Sequence, residues 1–213
     1  MFRRQIEVIG EVNQEKLSKK SILIVGAGGL GNIIASTLSC IGLKRIYIVD
    51  FDKIEIHNIH RQFQFDKKDI GKFKSEVLAK KVSRCQELEY YVNKFNEKFA
   101  NEFFKKHKID LIMDATDNFE VRIEIDKISK KLSIPWIYTS VEEWRAQIGI
   151  FKTTSFEIFA TKNHISKGQL PPMVNLAGSF ASLLSLKVLL FDIDEKFFYF
   201  DFENEFIFKE FSF

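Results

Sequence analysis

Ser21-Ile22-Leu23-Ile24-Val25-Gly26-Ala27-Gly28-Gly29-Leu30-Gly31 is the stretch that decides the fold. Its first five residues form a β-branched run bounded by glycine, the pattern of a buried strand. The Gly26, Gly28 and Gly31 spacing then provides a tight turn, a close backbone approach to phosphate, and close packing of helix on strand. A helix over Ile33–Ile41, closed by Gly42, and a second strand over Arg45–Val49 follow, and that strand ends at Asp50. A glycine motif alone is weak. Here it sits in a βαβ unit of about 30 residues, the context a nucleotide requires. The helix start offers unpaired N–H groups and partial positive charge to an anion, and Asp50 is placed to accept hydrogen bonds from ribose hydroxyls.

Outward from that unit, strand and helix patterns alternate. Residues 2–17 have helical spacing (Ile6, Ile9, Leu17) and form an arm within 1–20. A loop rich in His, Asn and Gln (His57–Gln64) leads to a helix from Lys72 to Glu87, with Val77, Leu78 and Val82 on one side. Strands are expected over Tyr90–Phe95, Asp110–Asp114 and Trp136–Ser140, and a helix over Glu120–Leu132. The class is α/β, a Rossmann-like, doubly wound, mostly parallel sheet. In the C-terminal third, Gln147–Phe151 and Phe156–Ala160 read as antiparallel strands that extend it. Thr161–Pro172 is the most loop-like stretch and carries two of the three prolines; a crossover loop is assigned to 161–175, and a helix to Ala177–Phe191. Phe197–Phe213 carries eight Phe around Glu203-Asn204, as a hairpin would. With no repeat or linker, residues 1–213 read as one domain.

The bulk numbers exclude several classes. The net charge is +3, from 32 Lys and Arg against 29 Asp and Glu in no single block, so no broad nucleic-acid-binding face is expected. No run of 18 apolar residues is apparent and Met1-Phe2-Arg3-Arg4-Gln5 does not open a signal peptide, so the expected compartment is the cytoplasm, with no membrane contact. Two cysteines, Cys40 and Cys85, cannot build a disulfide framework or a four-cysteine zinc site; each reads as a small buried apolar residue in a helix (Ser36–Ile41, Glu76–Gln86).

Arg61, Lys72 and Lys74 move the reading from hydride transfer towards phosphate chemistry. Displacement at an α-phosphate builds negative charge on the phosphoryl oxygens and the departing pyrophosphate, which fixed cations stabilise. Lysines at a helix start are unfavourable unless an anion lies there. Asp114 and Asp117 end a strand on the side where open α/β sheets bind ligands. One such carboxylate suits Mg²⁺, although an Asp-Asn pair before Phe119 also suits a helix cap. His57 and His60 lack a third ligand cluster, and Trp144-Arg145 reads as a core Trp beside a surface Arg.

Taken together, Arg4-Gln5, Val25–Gly31, Asp50-Phe51-Asp52, Asn58-Ile59-His60-Arg61-Gln62, Gly71-Lys72-Phe73-Lys74 and Asp114-Ala115-Thr116-Asp117-Asn118 resemble the ThiF/MoeB/HesA family, bacterial relatives of ubiquitin-activating enzymes. The resemblance continues weakly to Gly178 and Phe200-Asp201. It implies ATP as the nucleotide, held by Gly26, Gly28, Gly29, Gly31, Asp50, Asp52, Asn58, Arg61, Gln62 and Lys74. Asp117 would organise Mg²⁺. Arg61, Lys74 and Asp117 would be catalytic, with Arg4 reaching into a partner protomer of a homodimer. The implied reaction adenylates the C-terminal Gly-Gly carboxylate of a small ubiquitin-like sulfur-carrier protein, for thiamin or molybdopterin synthesis.

Three departures qualify that reading. The family's two CxxC zinc pairs are absent, so no structural zinc is expected. His164 precedes Gly168 where a cysteine is common, which excludes a covalent thioester or acyl-disulfide step there. Met1-Phe2 stands where an Arg-Tyr pair is common. The alternatives are adenylation of a peptide or small-molecule carboxylate, a scaffold that docks a ubiquitin-like partner, and a nicotinamide dehydrogenase that would leave Arg61, Lys74 and Asp117 idle.

Overall fold

A computed structural model describes residues 1–159 and 167–213. One eight-stranded sheet runs through it in the order β3-β2-β1-β4-β5-β6-β7-β8. The strands are β1 (Ser21–Val25), β2 (Arg45–Val49), β3 (Glu89–Tyr91), β4 (Leu111–Asp114), β5 (Trp136–Glu142), β6 (Arg145–Phe151), β7 (Lys196–Asp201) and β8 (Ile207–Ser212). The first five pair in parallel; β5 through β8 pair antiparallel, as the sequence class anticipates.

Side chains alternate across the strands, and two separate cores result. Ile22 and Ile24 of β1, with Ile46 and Ile48 of β2, face α3 (Gly29–Leu38), α4 (Lys74–Val82) and α7 (Pro171–Leu190). Leu23, Val25, Tyr47 and Val49 face α5 (Glu97–Lys106) and α6 (Phe119–Leu132). Each fully buried Ile or Leu contributes about 1.5–3 kcal/mol, so a strand buried on both faces reads as a continuous apolar run.

The arm is two helices, α1 (Arg3–Ile9) and α2 (Glu11–Leu17), broken at Gly10 with φ +80°. The Gln5 and Gln14 amides both donate to the Ile41 carbonyl, at 2.8 and 3.0 Å, and hold the arm to the end of α3.

Several expectations need correcting. Helix α3 begins four residues earlier than its apolar pattern, because the glycine turn leads straight into it. Helix α4 stops at Val82, and β3 is only three residues long. The stretch between β3 and β4 forms α5: Asn96 accepts the Phe99 N–H at 2.9 Å, and Phe99 and Phe103 stack one turn apart. Phe156–Ile158 is a 3-10 turn rather than a strand; β6 pairs with β5 instead, through a tight turn at Glu143, φ +50°. Pro171 and Pro172 open α7 instead of closing the loop, since proline lacks an N–H that a first helical turn would leave unpaired. Helix α7 has 20 residues and is apolar enough to cross a bilayer by length and composition, contrary to expectation. More than half of it is buried, with Gly178 so close to α3 that a Cβ there would lie 2.7 Å from Ile33 Cβ. Cys40 and Cys85 lie outside the helices, half-buried, and are bonded to each other, which ties the end of α3 to the segment after α4.

Candidate active site

The chain runs β1, β2, β3 outward on one side of β1, then returns to place β4 on the other side. This reversal opens a crevice at the carboxyl ends of β1 and β4, where open α/β sheets bind ligands. A cavity of about 210 Å³ fills it, lined from one side by Gly26, Gly28, Gly29, Asp50, Asp52, Arg61, Gln62 and Lys74 and from the other by Thr116, Asp117 and Asn118.

The glycine turn allows β1 and β4 to meet here. Gly26 has φ +100°, and a Cβ on it would stand 2.6 Å from the Ala115 carbonyl oxygen. Gly31 does not line the cavity; a Cβ on it would collide with the Gly26 carbonyl. Gly28 caps α3 with no side-chain hydrogen bond, and Gly28, Gly29 and Leu30 line the cavity, so this helix start lies where an anion could take its first N–H groups. Helix α6 differs: the Asn118 side chain accepts the Val121 N–H at 2.9 Å. Asn118 is therefore the cap, and its neighbour Asp117 lines the cleft.

Asp50 joins the turn to β2. Its carboxylate accepts the Ala27 N–H at 2.6 Å and the Asp52 N–H at 2.7 Å. Burial pushes its pKa above the ordinary carboxylate value, against the pull of those two N–H groups. Asn32, buried, donates to the Ala27 and Gly28 carbonyls and accepts the Gln64 N–H at 2.9 Å, so it fixes the glycine turn against the 61–64 loop.

The cations separate by position. Lys74 lines the cleft and pairs with Asp52 at 2.9 Å. Lys72 does not line it, and its ammonium pairs with Asp69 at 3.0 Å, so of these two lysines only Lys74 stands at the cavity. Arg61 lines the cleft with its Nε donating to Gln169 Oε1 at 2.9 Å and its Nη1 to the His57 carbonyl at 3.1 Å. Asn58 is buried behind the cleft: its Oδ1 accepts the Glu55 N–H, and its carbonyl accepts the N–H groups of Arg61 and Gln62. Gln62 is 2% exposed, and its Oε1 has no hydrogen-bond partner among the described residues.

Asp114 points inward. Its carboxylate accepts both Thr116 donors and the Arg122 Nε at 3.0 Å, while the Arg122 guanidinium lies over the Tyr138 ring. That network shapes the turn, so of the two aspartates after β4 it is Asp117 that lines the cavity. Arg4 lies outside its own chain's cleft, 92% exposed and paired with Glu7. Trp144 is 49% exposed rather than in the core, and Arg145 pairs with Asp201. His57 and His60 contact Glu55 and Arg61. His164 lies outside the described residues.

The sequence reading missed Asn93, Lys94 and Phe95 as lining residues, together with Gln169. The first three follow β3, so the rule that placed Asp50 after β2 also finds them. No local signal marks Gln169.

Residues 2–211 match the ThiF family. This chain belongs to the ThiF family. Its relatives include the sulfur carrier protein adenylyltransferase of Thermus thermophilus, 30% identical over 67% of this chain. The adenylyltransferase and sulfurtransferase MOCS3 of Caenorhabditis briggsae is 33% identical over 70%. This chain spans 53% and 38% of the lengths of these two relatives. Among solved structures, E. coli MccB with succinimide superposes at a TM-score of 0.82 with 18% identity, covering 99% of this chain and 71% of MccB. PaaA superposes at 0.80 with 20% identity, covering 99% of this chain and 72% of PaaA. Those likenesses establish that the ThiF-family chain has the fold of MccB and PaaA.

The lining has groups of the kinds that could hold a nucleoside triphosphate and one metal ion. The start of α3, with no side-chain cap, lines one crevice together with Arg61, Lys74, Lys94 and the carboxylates Asp50, Asp52 and Asp117. Mg²⁺ commonly takes one or two protein carboxylates and completes its shell with phosphate oxygens and water.

Proposed function

We propose that this chain adenylates a carboxylate with ATP and releases pyrophosphate. The observation that carries the reading is the convergence of the uncapped α3 start, Arg61, Lys74 and Asp117 on one cavity. A dehydrogenase would use the glycine turn and Asp50 and leave the cations without a task.

In this reading Asp50 and the glycine turn bind the ribose and the nearest phosphates. The acceptor carboxylate oxygen forms a bond to the α-phosphorus, and the bond from that phosphorus to the bridging oxygen of the β-phosphate breaks. Pyrophosphate leaves with the electron pair. Arg61, Lys74 and the α3 N–H groups stabilise the charge that develops on the phosphoryl oxygens and leaving group. Asp117 would hold Mg²⁺, which when bound neutralises phosphate charge.

The acceptor we favour is the Gly-Gly tail of a ubiquitin-like sulfur carrier; the 30% identical Thermus thermophilus relative, a sulfur carrier protein adenylyltransferase, supports a sulfur carrier as acceptor. A peptide or small-molecule carboxylate is the second reading. It is favoured by one observation: the chain has two cysteines and they are bonded to each other, so it brings no thiol to the cleft to capture an activated carrier. The proposal includes a cytoplasmic setting, and a homodimer in which Arg4 serves the cleft of a second copy. Mixing Lys74→Met and Arg4→Ala protomers tests the dimer, since a shared site restores part of the activity and an independent site restores none.

The deciding experiment is ATP–pyrophosphate exchange with Mg²⁺, run with Gly-Gly-ended carriers and with short peptides. Exchange that needs a carrier supports the first acceptor, and exchange with peptides the second. Nucleotide binding without exchange, for any acceptor, overturns the adenylation reading.

A further inference from the structure

Gln169 stands between the nucleotide cleft and the β5–β6 turn. Its Oε1 accepts from Arg61 Nε at 2.9 Å, and its Nε2 donates to the Val141 carbonyl at 3.3 Å. Its backbone forms a parallel bridge with Glu143, and the adjoining Gly168 carbonyl accepts the Glu143 N–H at 2.8 Å. The Lys167 N–H donates to the Glu142 carboxylate at 2.8 Å. Residues 167–169 are thus stitched to the turn, and the Gln169 amide is aimed from a fixed base.

A guanidinium is a rigid planar fork of five N–H donors. With Nε held by Gln169 and Nη1 by the His57 carbonyl, the plane of Arg61 is set. A neutral amide does this without cancelling the charge. A carboxylate in the same place would pair with the arginine and compete with any anion. The glycine turn runs beside the same side chain: a Cβ on Gly29 would be in ordinary contact with Arg61 Cγ, at 3.7 Å.

We propose that Gln169 is a positioning residue that orients Arg61 towards the phosphates of the bound nucleotide. The proposal rests on the reading of the cleft as an ATP site. Calorimetric titration of the full chain with ATP, and with adenosine, which has no phosphate, separates the two. Gln169→Met keeps the length of the side chain and removes its polar atoms. It should weaken ATP about tenfold, as the loss of one orienting hydrogen bond to a charged group would, and leave adenosine unchanged. Gln169→Glu should weaken ATP at least as much, with the same melting temperature as wild type. In an Arg61→Ala background, adding Gln169→Met should cost nothing further.

An unchanged ATP affinity in Gln169→Met overturns the assignment. So does a parallel loss of adenosine, which marks a merely structural role, or an undiminished loss in the Arg61→Ala background. If Gln169→Met does not fold, Gln169→Glu decides by the same comparison. A wild-type chain that binds neither compound overturns the ATP reading itself. A chain that binds ATP but is indifferent to position 169 overturns this inference alone.

Discussion

The Lys74 ammonium lies 2.9 Å from the Asp52 carboxylate, the lysine side chain 10% exposed and the aspartate 50%. The charge is drawn into the cleft while its partner stands half in water. Pairs with a solvated partner contribute little to stability, so this one is poorly explained as a structural staple. It keeps an ammonium aimed at the cleft. Lys74→Met should lower pyrophosphate release by about 100-fold or more, the scale for loss of a fixed group at a developing charge. The melting temperature should stay close to wild type. Full activity in this variant would remove Lys74 from the chemistry.

Asp117 and Asn118 are adjacent and should behave oppositely. Asn118→Ala removes the α6 cap and should cost about 1 kcal/mol of stability, read from a urea melt, with little effect on Mg²⁺-dependent turnover. Asp117→Ala breaks no cap and should leave the melt unchanged while turnover falls to background. Equal losses of stability in both variants would show that the pair acts as one structural unit.

Asp69 makes a pH-dependent contribution away from the cleft. Burial raises its pKa, but hydrogen bonds from Lys81, Lys72 and the Asp66 N–H outweigh that and hold it at about 2, below the ordinary 3.8. A depressed acid stabilises the fold above its unfolded value and loses that contribution as pH falls. Stability should therefore drop by about 2 kcal/mol between pH 4 and pH 2 through this group. Asp69→Asn should be less stable at neutral pH and show a shallower acid limb in melts across that window. An unaltered limb would show that Lys81 and Lys72 do not hold the carboxylate ionised.

The Cys40–Cys85 bond joins positions 45 residues apart. Closing a loop of that size restricts the unfolded chain, and reduction should lower stability by about 2–4 kcal/mol. Urea melts with and without a phosphine reductant measure it. Cys85→Ser should match the reduced protein and be insensitive to the reductant; a wild-type midpoint that ignores the reductant would show that the pair adds nothing.

Much of this architecture is legible in local sequence because its signals are local. Ser21–Val25 is buried on both faces and so is apolar throughout, and Gly26 has the positive φ that a turn pressed on the Ala115 carbonyl requires. Helix α5 is absent from the sequence reading, although Asn96 and the i, i+4 pair Phe99 and Phe103 are the signals that mark it. Boundaries were read less well. A glycine-rich helix start such as that of α3 has no apolar period to mark it, and the prolines of Pro171-Pro172 suit a loop and a first helical turn equally.

The linear sequence determined the βαβ core, the glycine turn, Asp50 at the strand end and the family, because hydrophobic period and glycine spacing are properties of neighbouring residues. Only the tertiary structure decided which charged groups meet. Lys72 and Lys74 are two residues apart, yet one pairs with Asp69 outside the cleft and the other faces into it, since successive positions at a helix start point in different directions. Asp114 and Asp117 divide in the same way, one turned to Arg122 and one to the cavity. Gln169 reaches Arg61, and Cys40 reaches Cys85, across separations that no local pattern encodes. Such pairings depend on how the sheet brings distant loops to one edge, which is settled by packing of the whole chain.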